Sequence, residues 1–131
     1  MPSSILIVED NDDIQLLFQM ILESEGYEVN IASNGAEALE SLETVCPQLI
    51  LMDIMMPGIS GIEVARNIKQ QQDYESLPIL LISAVDRLQD RQFNYSKASD
   101  ILYKPFDLDD LVFKVDRLLK KHKLPLHFAS T

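Results

Sequence analysis

Four apolar runs in this 131-residue chain each end in residues able to do chemistry. Glu9-Asp10 follows Ser4 to Val8, and Asp53 follows Leu49-Ile50-Leu51-Met52. Ser83 follows Pro78 to Ile82, and Lys104 follows Ile101-Leu102-Tyr103. Taken alone, Asp53 is an aspartate that starts a turn, because Pro57 and Gly58 break the chain just beyond it. Gathered in one pocket, the set means more. Carboxylates about 4 Å apart repel by several kcal/mol per pair at an effective dielectric near 20, so the cluster calls for a cation. An oxygen-only donor set suits Mg2+ (or Mn2+), with no His or Cys to favour zinc. A carboxylate beside a divalent ion and a lysine can attack a phosphoryl group, since both cations neutralise charge on the transferred oxygens. The Ser83 hydroxyl can then hydrogen-bond one of those oxygens.

What would bring these residues together is a sheet. Leu49 to Met52, Ser4 to Val8 and Pro78 to Ile82 leave no face for water, as expected of central strands buried on both sides. Tyr27 to Ala32 and Ile101 to Tyr103 supply two further strands. Between them lie helical patterns. Ile14, Leu17, Phe18, Ile21 and Leu22 form one stripe of a helix over 12–25, capped by Asn11 or Asp12 and stopped by Gly26. Ser33-Asn34 caps a short helix that turns Ala38, Leu39 and Leu42 inward, and Ile62, Ala65 and Ile68 share a face of a third. Gln70 to Asp73 is a polar loop. A weakly apolar helix over 86–95, with Leu88 and Phe93, should be loosely held. The last helix is capped by Asp107, carries Leu108, Leu111, Val112, Val115, Leu118 and Leu119 inward, and ends near Lys120, Lys121 and Lys123. Five strand-then-helix units imply one doubly wound α/β domain with a parallel sheet, whose strand C-termini open on a single edge.

Composition narrows the partners. A formal charge of −10 at pH 7 argues against nucleic acid and against anionic membrane, leaving a protein or a cation. Glu37, Glu40 and Glu43 account for part of that charge as solvated helix surface. No apolar run approaches the roughly 20 residues of a membrane span, and the N-terminus lacks the pattern of a secretory signal, so a cytoplasmic location is expected. Cys46 is the single cysteine and is given no role.

In this order, Val8-Glu9-Asp10, Met52-Asp53-Ile54-Met55-Met56-Pro57-Gly58 with Gly61, Ser83-Ala84 and Lys104-Pro105-Phe106 resemble the receiver domain of two-component response regulators. The likeness covers roughly residues 4–122. It implies a flavodoxin-like sheet of order 2-1-3-4-5 with five helices, a receiver domain over 1–122 and a C-terminal tail over 123–131. It implies a histidine kinase or phosphotransfer protein as donor, Asp53 as phosphoacceptor, and an unidentified downstream protein. By the same resemblance Asp10 and Asp53 bind Mg2+ directly, Glu9 acts through water, and Met55 contributes its backbone carbonyl. Ser83 is then the switch hydroxyl, Ala84 its small neighbour, and Lys104 the phosphate partner, joined to Pro105 by a cis bond.

Three features depart from the family's pattern. Ile101 stands where an aromatic switch residue is usual, with Tyr103 nearer the lysine. Lys97 stands where a glycine commonly ends the fourth helix, so a distorted connection is expected there. The span from Ser83 to Lys104 is about one residue short of the family's spacing. The leading reading is a signalling switch, not an enzyme beyond its own phosphotransfer, with slow self-dephosphorylation because Met55 and Val85 flank the site with apolar side chains. The alternative is a phosphorylation-independent interaction module on the same fold. A dehalogenase-type phosphatase would need an acid where Met55 stands, and a flavin phosphate would be repelled by Glu9-Asp10. With no output domain expected, a stand-alone relay or an excised receiver fits, and a homodimer through the last two helix-strand units is compatible with both.

Overall fold

The strand β3 (Leu49–Asp53) is buried at every position, and the rest of the chain is arranged around it. The computed structural model describes residues 3–84 and 88–128, with 121–128 as backbone only. β1 (Ser4–Val8) and β4 (Ile79–Ser83) pair with β3 in parallel on either side. β2 (Glu28–Ala32) pairs with β1, and β5 (Asp100–Tyr103) with β4, so the order is β2-β1-β3-β4-β5, as expected from the sequence.

Strand alternation divides the core in two. Leu6, Val8, Ile50, Met52, Ile79 and Leu81 meet Val64, Ala65 and Ile68 of α3 (Gly61–Lys69) and Ala38 of α2 (Gly35–Ser41). Ile5, Ile7, Leu49, Leu51, Leu80 and Ile82 meet Phe18 and Leu22 of α1 (Asp12–Ser24), and Leu111, Val115, Leu118 and Leu119 of α5 (Leu108–Phe128). Each fully buried Leu or Ile contributes about 2 kcal/mol of transfer free energy, so both faces must be covered. The same alternation carries Glu9, Asp53 and Lys104 onward in the rows of Ile5 and Ile7, Leu49 and Leu51, and Leu102, all facing α1 and α5.

Local chemistry sets the boundaries. Asn11, not Asp12, caps α1, its side chain accepting from Ile14 N, and Gly26 ends the turn after it at φ +94°. Leu17, expected in the buried stripe, is 45% exposed, because the sheet covers a narrower band centred on Phe18 and Leu22. Gln72–Tyr74, expected partly as loop, is a 3₁₀ turn whose Tyr74 hydroxyl donates to Leu42 O. The fourth helix, α4 (Asp90–Ser96), begins later than expected, and 86–87 of the segment assigned to it lie outside the described residues. Only Ser96 is buried within it, while Leu88 just before it and Phe93 pack on the core. What holds α4 besides these is polar: Arg66 of α3 lies 4.2 Å over the Tyr95 ring and donates to Tyr95 O, and the Tyr95 hydroxyl donates to Glu63. α5 continues to Phe128, so the segment from 123, expected as a tail, is helical that far, and Lys120 lies well before the helix end.

The expected distortion after α4 is absent, because Lys97 itself adopts the left-handed conformation at φ 63° and caps the helix as a glycine would. That conformation costs a non-glycine residue about 1 kcal/mol. Lys97→Gly should therefore raise the melting temperature by about 3 °C, measured by calorimetry. A lower melting temperature would show that Lys97 makes a compensating contact.

Candidate functional site

Asp53 closes β3, where the chain leaves the sheet. Its Oδ1 accepts from Met55 N at 3.0 Å, which folds the loop back over the strand end. The loop returns through Gly61, whose N–H donates to Ile54 O at 2.9 Å. A Cβ on Gly61 would lie 2.3 Å from Asp53 O, so only glycine lets α3 begin this close to the strand. Ser60 caps α3 by accepting from Ile62 N. The Asp53 carboxylate is thereby held by one backbone N–H, its main chain is packed against the start of α3, and the residue is only 7% exposed.

Glu9 and Asp10 come from the neighbouring strand. Glu9 N donates to Ala32 O, extending the β1–β2 ladder by one residue, and Glu9 Oε2 accepts from Asn11 N at 3.1 Å. Its other oxygen, Oε1, is buried with no hydrogen-bond partner among the described residues, and the residue is 2% exposed. Asp10 is exposed at the rim. Carboxylate oxygens of Glu9, Asp10 and Asp53 lie within 4.8 Å of one another. From the far side Lys104 Nζ reaches to 3.8 Å of Asp53 Oδ2, and Lys104 N donates to Ser83 O at 2.8 Å, which ties the two strand ends together. Ser83 is fully buried at the end of β4, one position beyond Ile82, the register partner of Asp53. Ala84 follows it and is exposed.

Three carboxylates face one ammonium, and Glu9 bears the consequence. Burial pushes its carboxyl up to about 7, and the Asp53 carboxylate adds to this against the opposing pull of Asn11 N–H and Lys104. An acid raised on folding destabilises the fold once ionised, so this loss grows as pH rises from about 4.5 through about 7. In metal-free buffer Glu9→Gln should therefore stabilise the protein by about 1–2 kcal/mol at about pH 8 and by almost nothing at about pH 5. Thermal melts at both values check this, and equal shifts at the two would contradict it.

Most of the residues expected at the site do converge. Glu9, Asp10, Asp53 and Lys104 meet, and the Lys104–Pro105 bond is cis. Met55 is 59% exposed, and its contact with the cluster is its backbone N–H donating to Asp53 Oδ1. Ile101 is half-buried and packs on the α2–α3 side of the core, while Tyr103 beside it accepts Leu88 N–H on its hydroxyl. Val85, the second apolar flank, lies outside the described residues. Nothing in the sequence singled out Asn11 N or Gln15 as partners of Glu9, because any polar residue in the first turns of α1 would have looked alike.

A doubly wound sheet with an acidic pocket and a lysine at its C-terminal edge is the architecture of flavodoxin-like signalling domains. This chain belongs to the response regulator receiver domain family, whose model matches residues 5–116. It is 37% identical over 125 residues to the alkaline phosphatase synthesis transcriptional regulatory protein PhoP of Bacillus subtilis, covering 95% of this chain and 51% of PhoP. A crystal structure of a response regulator from Chloroflexus aurantiacus is 32% identical with a TM-score of 0.85, covering 91% of this chain and 98% of that one. The response regulator TrrA of Thermotoga maritima, in complex with Mg2+-BeF, is 35% identical with a TM-score of 0.80, covering 88% of this chain and 98% of that one. The chain spans about half the length of the curated relatives it matches. Among the described residues no helix is long and apolar enough to cross a membrane.

Proposed function

We propose that this chain, a receiver over residues 1–122, accepts a phosphoryl group on Asp53 from a histidine kinase or phosphotransfer protein in the cytoplasm, and thereby alters its affinity for a downstream protein. The observation that carries the reading is the buried Asp53 carboxylate, with Glu9 and Asp10 on one side and Lys104 on the other. The oxygen-only donor set and the orphaned Glu9 Oε1 fit a hard divalent cation, which Asp10 and Asp53 would hold directly, Glu9 through water and Met55 through its carbonyl. Bound there, Mg2+ would neutralise charge developing on the phosphoryl oxygens.

The residues of the chain supply the rest. Met55 N–H fixes the Asp53 carboxylate, so the nucleophile is oriented before the donor arrives. As the donor's P–N bond breaks, an Asp53 oxygen forms the new P–O bond, and the departing imidazole takes a proton from solvent. Lys104 then pairs with the phosphoryl oxygens as a point charge, and the Ser83 hydroxyl hydrogen-bonds one of them. Because the Lys104 N–H donates to Ser83 O, movement of Ser83 toward phosphate is transmitted into β5. With Ile101 aliphatic and packed against the core, that transmission runs without a rotating aromatic at this position.

Intact-mass measurement after treatment with acetyl phosphate should show one phosphoryl adduct that requires Mg2+ and is prevented by EDTA. An unmodified protein, binding its partner equally with and without the treatment, would favour the phosphorylation-independent module. The apolar Met55 at the rim positions water poorly, so the adduct should decay slowly, and loss within seconds would count against that.

A further inference from the structure

Gln15 does more than occupy the first turns of α1. Its Nε2 donates to the backbone carbonyl of Glu9 and, at 3.3 Å, to Ser33 Oγ, using both amide protons. The Glu9 main chain is thereby held on both sides of its Cα, since its N–H donates to Ala32 O and its carbonyl accepts from Gln15. Ser33 is in turn fixed by its own N–H donating to Glu37 Oε1 at 2.8 Å. A continuous polar path therefore runs from α2 through the β2–α2 loop and the Gln15 amide to the loop that carries Glu9 and Asp10. Gln15 is half-buried and four residues beyond Asn11, whose carbonyl accepts Gln15 N at 2.9 Å, so its side chain leaves a rigid first turn.

We infer that Gln15 is a positioning residue for the divalent cation, holding the Glu9-Asp10 loop in the geometry that the small ion needs. The inference rests on the metal reading above and deepens it. Mg2+ demands near-ideal octahedral geometry, whereas Ca2+ accepts longer and irregular bonds. A positioning role therefore predicts loss of selectivity rather than a uniform loss of binding or of stability.

The test uses Gln15→Met, which keeps length, neutrality and helix propensity but removes both donors. Cation affinity is read from the thermal shift of the full chain titrated with Mg2+ or Ca2+ at constant ionic strength. The Mg2+ dissociation constant should rise about tenfold while that for Ca2+ changes by less than about twofold. Gln15→Lys restores a donor and adds charge that weakens both ions alike, so it should keep the wild-type ratio of the two constants. Equal changes for both ions in Gln15→Met, or a lower melting temperature with both affinities intact, would overturn the inference and leave the metal reading standing. Absence of any Mg2+-dependent shift in the wild-type chain would overturn both.

Discussion

Asp53→Asn protein treated with acetyl phosphate and Mg2+ is expected to stay unphosphorylated on Phos-tag gels, while the wild-type chain gains one shifted band. The substitution replaces one oxygen by nitrogen and little else. The amide oxygen of the variant can still accept Met55 N–H, so the loop that Gly61 closes is undisturbed. What disappears is the anionic nucleophile and the charge that faces Lys104 Nζ at 3.8 Å. An amide is not a nucleophile toward phosphorus at neutral pH, and the expected loss is at least about a thousandfold in rate. Stability should move the other way, since one of three mutually repelling carboxylates is gone. A variant that melts no lower than wild type but takes no phosphate separates chemistry from folding. Phosphorylation that survives the change would mean another carboxylate is the acceptor, and the exposed Asp10 would be the first to examine.

How far the sequence announced this architecture depends on which residues are asked. The central strands were legible because a parallel strand covered on both faces must be apolar at every position, and Leu49 to Met52 allows no other environment. The pocket followed from the same fact, since charge can begin only where such a strand leaves the sheet. Helix faces were less legible. The stripe Ile14, Leu17, Phe18, Ile21, Leu22 is wider than the band that β1, β3 and α5 cover, and periodicity cannot say where that band ends, so Leu17 lies nearly half in water. The fourth unit departs from its sequence pattern in two ways. α4 begins at Asp90, where Gln89 N–H donates to the Gln92 side chain, a weak signal beside the charged run before it. Lys97 accepts the left-handed conformation that was reserved for glycine, because the turn into β5 fixes the backbone, with Ser99 N donating to Ile79 O. Gln15 was silent, for its partner is a backbone carbonyl brought near only by the fold.

Gly61→Ala tests whether that backbone frame is as tight as the pocket requires. Alanine is the better helix former by about 1 kcal/mol, so at the first position of α3 it would normally stabilise. Here its Cβ would lie 2.3 Å from Asp53 O, 2.8 Å from Ile54 Cα and 3.0 Å from Asp53 C. None of these atoms belongs to a side chain that could swing aside; relief requires the end of β3 and the start of α3 to separate, lengthening the Gly61 N to Ile54 O bond. A cost of about 3 kcal/mol is expected, lowering the melting temperature by about 10 °C. Gly58→Ala is the control: at φ +86° it is strained, but nothing lies within 4 Å of its Cβ, so it should cost only about 1 kcal/mol. Because two of the three crowded atoms belong to Asp53 itself, Gly61→Ala should also slow phosphorylation below the unfolding transition, where Gly58→Ala leaves it near wild type. Melting temperatures that rank the two variants in the opposite order would show that the strand end yields easily, and that the pocket is not held by this close approach.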